Sequence, residues 1–134
     1  MATTPTDPIP IRASVDVVQV RQAVRALAAS LGLTLIDQTK IVTAASELAR
    51  NTLEHGGGGT ARVEVITRGG KTGLRAIFED NGPGIPDVNA ALSDGFTTGG
   101  GLGLGLGGSK RLVHDFDLKT NVGEGTCITI TRWK

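Results

Sequence analysis

Residues 97–111 read TTGGGLGLGLGGSKR, and seven of the chain's 20 glycines lie between positions 99 and 108. Glycine loses more conformational freedom on folding than any other residue, so it is unfavourable inside helices and strands. The stretch therefore predicts either a flexible hinge or a place where bare backbone approaches a ligand. The residues on either side of it decide between the two.

Most of the sequence between residues 9 and 80 is periodic. Apolar residues recur at helical spacing over residues 14–31 and again over residues 34–55. Residues 60–68 and 74–80 alternate with period two around the turn GGKTG, which predicts a β-hairpin. Isoleucines that alternate with Pro and Arg over residues 9–12 favour a short edge strand. The candidate helix caps are Ser14 or Asp16 for the first helix and Thr34 or Asp37 for the second.

The C-terminal part predicts one more helix and two strands. The helix is expected to begin within the glycines and to continue through residues 109–116, and the strands to cover residues 117–122 and 126–133. Residues 81–100 show almost no period and are rich in Gly, Pro and Asp. Loops of that length in a compact domain are usually functional lids or disordered segments.

This order of elements predicts an α/β sandwich of two layers, with helices on one face of a mostly antiparallel sheet. Residues 1–8 are polar and contain two prolines, which indicates a flexible N-terminus. The remainder, residues 9–134, is expected to form a single domain without internal repeats.

Composition excludes several classes of function. The net charge is +1 and the chain has three Phe, one Trp and no Tyr, so neither a nucleic-acid surface nor an anionic membrane surface is expected. The single Cys127 cannot form an internal disulfide, which fits a reducing compartment. The sequence has no basic-then-apolar start and no apolar run of about 18 residues, so it supports neither a signal peptide nor a membrane span, and we expect a cytoplasmic protein.

The second predicted helix carries a carboxylate and an amide on one face. Glu47 and Asn51 are four residues apart and so project from the same side. Such oxygen atoms suit Mg²⁺, or the carboxylate can activate a hydroxyl group while the amide orients the metal. A solvated helix face with Arg50 and Glu54 nearby is the other interpretation of this pair.

A second candidate follows the hairpin in the segment FEDNGPGIPD. Asp80 lies where the strand ends and could accept a hydrogen bond from an exocyclic amine. Gly82 and Gly84 would let the backbone approach a flat ligand closely. The same residue types also form ordinary surface turns, and the segment alone does not separate these alternatives.

The glycine-rich stretch formally contains G-x-G-x-x-G at Gly103, Gly105 and Gly108. No strand precedes these glycines, so a dinucleotide fold is rejected, and GGSK reverses the order that a Walker P-loop requires. What remains is a helix start whose unpaired backbone N–H groups can bind phosphate. A flexible hinge stays the alternative for this segment alone.

Taken in order, E-x-x-x-N on a helix, D-x-G-x-G after a strand and G-x-G-x-G at a helix start resemble the nucleotide-binding motifs of the GHKL superfamily. The segments ASELARNTLEH, EDNGPGIPD, DGFTTGGGLGLGLGGSKRLVHDF and GEGTCITITRW are similar to the serine/threonine kinases of bacterial stress and sporulation signalling. Among these, the chain is most similar to the RsbT type of the stressosome, within the anti-sigma regulatory factor family. The resemblance implies the Bergerat fold, an α/β two-layer sandwich with a mostly antiparallel mixed sheet.

The resemblance also implies roles for particular residues. Asn51 would ligate Mg²⁺ and Glu47 would be the general base for the attacking hydroxyl group. Asp80 would hold the adenine amine in a pocket that Gly82 and Gly84 shape. The other implied contacts with ATP are Gly101, Gly103 and Gly105 at the phosphates and Thr126 beside the adenine.

The family's activity gives the expected partners. Its kinases transfer the γ-phosphoryl group of ATP to Ser or Thr residues of STAS-domain proteins, and the RsbT type activates a PP2C-type phosphatase when released. A related group instead sequesters a sigma factor in a nucleotide-dependent manner, and this is the alternative function for the chain.

Overall fold

The computed structural model describes residues 2–4, 7–92 and 105–134, with the side chains described from residue 7 onwards. In chain order the elements are β1 (Ala2–Thr4), β2 (Ile9–Ile11), α1 (Ser14–Ser30), α2 (Leu35–Glu54), β3 (Gly59–Arg68), β4 (Lys71–Asp80), α3 (Val88–Ala91), α4 (Gly105–Arg111), β5 (Asp115–Asn121) and β6 (Gly125–Trp133). No helix among these residues has the length and apolar character that a bilayer crossing requires.

The strands form one sheet in the order β1-β3-β4-β6-β5, and β2 pairs with the start of β3. Each pairing between the described strands is antiparallel. The predicted hairpin is the β3–β4 pair, whose register runs from Gly59 opposite Asp80 to Arg68 opposite Lys71. Gly69 and Gly70 form its turn with φ of 56° and 81°, the left-handed values that a tight two-residue hairpin turn requires.

Both long helices cover one face of the sheet. Alternate residues of β3, β4 and β6 point toward them and are buried, with Phe78 at the centre only 1% exposed. The positions of the two long helices in this core are Val17, Val20, Val24, Ala28, Ile41, Val42, Ala44, Ala45, Leu48 and Ala49. This arrangement confirms the predicted α/β two-layer sandwich.

The start of α2 agrees with the prediction, because the Thr34 hydroxyl group accepts the Asp37 N–H at 3.1 Å. At α1 the capping residue is Ala13, which has no side-chain acceptor. Asp16 acts from the first turn instead, and its carboxylate accepts the Arg12 and Ala13 N–H groups at 2.8 and 3.0 Å.

Besides the cap of α1, which is neither of the predicted residues, three local expectations differ from the structure. The last helix ends at Arg111 instead of continuing to residue 116, because Phe116 lies opposite Ile130 in the sheet and packs on the core. The short helix α3 lies in a segment predicted to be a loop. Residues 2–4 pair with β3, although their sequence has no strand pattern. The division into a flexible terminus of residues 1–8 and a domain of residues 9–134 stays a prediction.

An ion pair joins the last strand to the start of α2. Arg132 donates to Asp37 Oδ1 at 2.6 Å and to the Leu112 carbonyl oxygen, just beyond α4, at 3.0 Å. The hydrogen bond from Arg132 is the main reason that the pKa of Asp37 lies below its usual value. Asp37 therefore contributes stability when it is ionised, and this contribution is lost as the pH falls through its folded-state pKa.

We expect Asp37→Asn to lower the melting temperature at pH 7, where the wild-type carboxylate is ionised in both the folded and the unfolded state. The difference should narrow below about pH 4, the ordinary pKa of Asp, and vanish once the folded-state carboxyl group is protonated. Thermal denaturation of both proteins across this range tests it. Asp117→Asn, at an exposed position of β5, is the matched control. An Asp37→Asn melting temperature equal to the wild-type value at pH 7 would contradict the role of the ion pair.

Candidate functional site

A cavity of about 370 Å³ lies beyond the C-terminal ends of α2 and β4. The size is within the usual range for a small-molecule site. Much of its wall is apolar, contributed by prolines, alanines, Ile85 and Leu106, and a few polar groups converge on it. The lining residues are Asn51, His55, Gly56, Asp80, Pro83, Gly84, Ile85, Pro86, Asp87, Ala90, Ala91, Gly105, Leu106 and Thr126.

Asp80 is the carboxylate at the end of β4, and it is partly buried. Its Oδ1 accepts the Gly82 N–H at 2.9 Å, which fixes the orientation of the carboxylate. A Cβ atom at Gly56 would lie 2.4 Å from Asp80 Cγ and 2.5 Å from Oδ2, so only glycine fits beside it. Gly82 lies against the Gly56 backbone, since a Cβ there would come within 2.8 Å of it.

The contact between Gly56 and Asp80 gives a prediction about ligand affinity. Gly56→Ala must displace the Asp80 carboxylate, and we expect the Kd for ATP to rise by about tenfold or more, the cost of a lost hydrogen bond to a charged group. Titration calorimetry measures it. Gly57→Ala is the control, because its Cβ would meet no atom within 4 Å although its φ of 74° adds backbone strain. Equal affinities of the two variants would contradict the argument.

The loop after Asp80 packs on the turn between β5 and β6. Gly84 has φ of 79°, and a Cβ there would lie 2.4 Å from the Asn121 carbonyl oxygen. The Gly123 N–H donates to the Pro83 carbonyl oxygen at 2.7 Å. These contacts hold the backbone that forms one wall of the cavity.

Thr126 lies directly opposite Asp80 in the β4–β6 register. It is 7% exposed and lines the same cavity. Two strand ends therefore bring a carboxylate and a hydroxyl group together, although 46 positions separate them in the sequence.

On α2, Asn51 lines the cavity while Glu47 lies one helical turn earlier and does not. The Asn51 backbone carbonyl oxygen accepts the N–H groups of His55 and Gly56 at 2.9 and 3.2 Å. The rise of an α-helix separates residues four apart by about 6 Å along its axis. Since α2 ends beside Asp80, Glu47 lies on the far side of Asn51 from that carboxylate.

The remaining predicted site residues fall into two groups. Gly105, the first residue of α4, lines the cavity, and the next residue, Leu106, lines it as well and belongs to the core. Gly101 and Gly103 lie outside the described residues. Within the described ranges, no group of three His, Cys, Asp or Glu side chains could hold a metal ion.

Several lining residues were not found from the sequence. Gly56 belongs to the run GGGG after α2, a composition that indicates only the end of a helix, and His55 precedes this run in no recognisable site motif. Residues 85–91 carry no periodic pattern, yet they form an apolar wall that α3 closes, with Asp87 Oδ1 accepting the Ala90 N–H at 3.0 Å. An apolar wall with a few convergent polar groups is typical of a site for a flat, partly polar ligand.

The cavity of this α/β sandwich lies between an amide on a helix and a carboxylate at the end of a strand. This combination defines the class of nucleotide-binding domain to which the GHKL ATPases belong. The family described as "Histidine kinase-, DNA gyrase B-, and HSP90-like ATPase" matches residues 36–134. The chain belongs to this family, and it uses ATP.

Individual relatives indicate which kind of GHKL protein the chain is similar to. The serine/threonine-protein kinase RsbT of Bacillus subtilis is 48% identical over 118 residues, which cover 88% of this chain and 89% of that protein. Anti-sigma F factors of two Thermoanaerobacter strains, X514 and ATCC 33223, are 29% identical over 119 residues, which cover 84% of this chain and 82% of each protein. The predicted family and the enzyme class, a serine/threonine-protein kinase, are confirmed.

Two solved structures are similar in fold. The RsbU and RsbW domains of Rv1364c from Mycobacterium tuberculosis superpose with a TM-score of 0.62 at 25% identity, covering 98% of this chain and 34% of that one. The histidine kinase domain of Erythrobacter litoralis EL346 gives a TM-score of 0.53 at 21% identity, covering 98% of this chain and 65% of that one. The chain thus spans about a third of the Rv1364c structure.

Proposed function

We propose that the chain transfers the γ-phosphoryl group of ATP to a Ser or Thr of STAS-domain partner proteins in a bacterial stress-signalling partner switch. When released from those partners, it activates a PP2C-type phosphatase. The observation that carries this proposal is the 48% identity to RsbT over nearly the full length of both chains. The cavity that joins Asn51, Asp80 and Thr126 supports it with a site of suitable chemistry. The lone Cys127 favours a cytoplasmic setting.

The adenine end of the site is assigned to Asp80. Its Oδ1 accepts the Gly82 N–H. Its Oδ2 lies on the Gly56 side of the cavity and is assigned to accept the adenine amine. Gly84 and Thr126 complete the walls around the base. A flat base with one amine suits an apolar slot that carries an acceptor at its end.

The phosphate end is assigned to the Asn51 side of the cavity and to the start of α4. The Asn51 side-chain oxygen is a hard donor, which suits Mg²⁺, and this ion usually takes its other ligands from phosphates and water. When bound, Mg²⁺ would neutralise phosphate charge. Gly105 would lie against the phosphates, together with Gly101 and Gly103 of the segment outside the described residues.

Glu47 is assigned as the general base. It would take the proton from the substrate Ser or Thr hydroxyl group while that oxygen bonds to the γ-phosphorus and the bond to the β-phosphate oxygen breaks, releasing ADP. Its place one turn before Asn51 supports this role, because it lies away from Asp80, in the direction to which the proposal assigns the phosphates.

The test is phosphoryl transfer from γ-labelled ATP to a purified STAS-domain protein from the same organism. We expect label on the partner that survives acid, as phosphoserine and phosphothreonine do, and a loss of transfer when Mg²⁺ is chelated. Acid-labile label would point instead to a phosphohistidine. No transfer to any STAS-domain protein of that organism would contradict the proposal.

The second candidate is an anti-sigma factor that sequesters a sigma factor in a nucleotide-dependent manner. The observation in its favour is the 29% identity to anti-sigma F factors over 84% of this chain. It predicts a stable complex with a sigma factor that differs between ATP and ADP. A pull-down with each nucleotide, followed by mass spectrometry, separates the two functions. Without a sigma complex at micromolar concentration, this candidate fails.

A further inference from the structure

Thr120 lies behind the cavity on β5, directly opposite Thr126 on β6. The preceding pairs on the same face, Leu118 with Ile128 and Phe116 with Ile130, belong to the core and its margin. The apolar stripe between these strands therefore ends in two threonines. Thr126 lines the cavity, whereas Thr120 does not.

The Thr120 hydroxyl group has three hydrogen-bond partners. The Ile85 N–H donates to Thr120 Oγ1 at 2.9 Å, and Thr120 donates to the Gly125 carbonyl oxygen at 3.1 Å. The third partner is Thr126 Oγ1 at 3.0 Å. Ile85 also lines the cavity, so Thr120 holds two of the residues that form its wall without lining it itself.

Counting protons settles the direction of the third bond. A hydroxyl group has one proton and two lone pairs. The backbone N–H of Ile85 can only donate and the carbonyl oxygen of Gly125 can only accept. Thr120 must therefore donate its one proton to the Gly125 carbonyl oxygen. The bond between the threonines then requires Thr126 to donate to Thr120, which leaves Thr126 only lone pairs to present to the cavity.

We infer that Thr120 is a positioning residue that sets the nucleotide specificity of the site by orienting the Thr126 hydroxyl group. The inference rests on the proposed function of the cavity as the adenine site. With the Thr126 proton committed to Thr120, Thr126 and Asp80 both present acceptors, and together they select a base whose C6 group donates. An amine at C6 of the purine satisfies them, whereas a carbonyl oxygen at C6 places acceptor against acceptor.

The test compares ATP with inosine 5′-triphosphate, which carries a C6 carbonyl oxygen in place of the amine. In Thr120→Val the Thr126 proton is free to turn into the cavity and Ile85 loses its acceptor. We expect the Kd for ATP to rise about tenfold, while the preference for ATP over inosine triphosphate falls about threefold to tenfold, the range of a single hydrogen bond. Thr120→Ser keeps the hydroxyl group and should keep both values within about twofold.

The ratio of the Kd for inosine triphosphate to the Kd for ATP separates a change in specificity from a general loss of nucleotide affinity. A Thr120→Val variant that weakens both nucleotides equally would overturn the inference, and so would one that changes neither. Thr120→Ala repeats the measurement without the valine methyl groups, and Thr129→Val, a partly buried threonine elsewhere on β6, is the control. If Asp80→Asn binds ATP as the parent does, the adenine assignment itself is wrong. If Thr120→Val changes the ratio and Asp80→Asn weakens ATP binding, both the role of Thr120 and the adenine assignment are supported.

Discussion

Asp80→Asn is expected to raise the Kd for ATP by about 10- to 100-fold, the equivalent of the 1.5–3 kcal/mol typical for a hydrogen bond to a charged group. The reason lies in the Gly82 N–H, which donates to Oδ1 and fixes the side chain. Asparagine can keep that bond only with its oxygen, so its NH₂ group turns toward the ligand. A donor then faces the adenine amine, which is also a donor. Titration calorimetry with Mg-ATP measures the change.

Asp87→Asn is the matched control for this experiment. Asp87 lines the same cavity and undergoes the same change of charge. Its Oδ1 accepts the Ala90 N–H as the cap of α3, and an asparagine oxygen can do the same. We expect its affinity for ATP to stay within about threefold of the parent value, since no partner is lost. Equal losses in both variants would show that net charge, and not an adenine contact, determines the effect.

Glu47→Gln is expected to reduce the rate of phosphoryl transfer by at least about 100-fold, the lower end of what a general base contributes. The affinity for ATP should stay within about threefold, because Glu47 does not line the cavity that holds the base. Glutamine keeps the shape of the side chain and removes its basicity. Single-turnover transfer to the STAS-domain partner and calorimetry on the same preparation separate the two effects.

Glu54→Gln provides the comparison for Glu47. Glu54 is the last residue of the same helix and is exposed, so the substitution changes charge without entering the proposed phosphate end. Its transfer rate should match that of the parent. Unchanged transfer in Glu47→Gln would remove this residue from the role of base, while a parallel loss of ATP affinity would assign it to nucleotide binding.

Elements with local signals were predictable. Thr34 caps α2 through the N–H three residues later, and the β3–β4 hairpin follows from two alternating segments around a pair of glycines. Prediction failed where the local helical pattern and the packing of the core favour different structures. Phe116 continued a helical pattern in sequence, yet it lies in β5 because its ring completes the core opposite Ile130.

The candidate site divides in the same way. Asn51, Asp80, Gly84 and Thr126 belong to short motifs with recognisable spacing, and the structure brings all four to one cavity. Gly56 and Thr120 belong to no such motif. Gly56 matters only because β4 ends beside it, and Thr120 because Ile85, 35 positions away, and Thr126 meet its hydroxyl group.

By itself, the sequence determined the two long helices, the hairpin and the identity of the motifs, since periodicity, capping and motif spacing are encoded within a few residues. Only the tertiary structure decided which backbone and side-chain groups touch. The pairing of Arg132 with Asp37 across 95 positions and the hydrogen bond between Thr120 and Thr126 are examples. Such contacts depend on where separate elements pack and on which donors and acceptors then remain to be satisfied, and no local pattern carries that information.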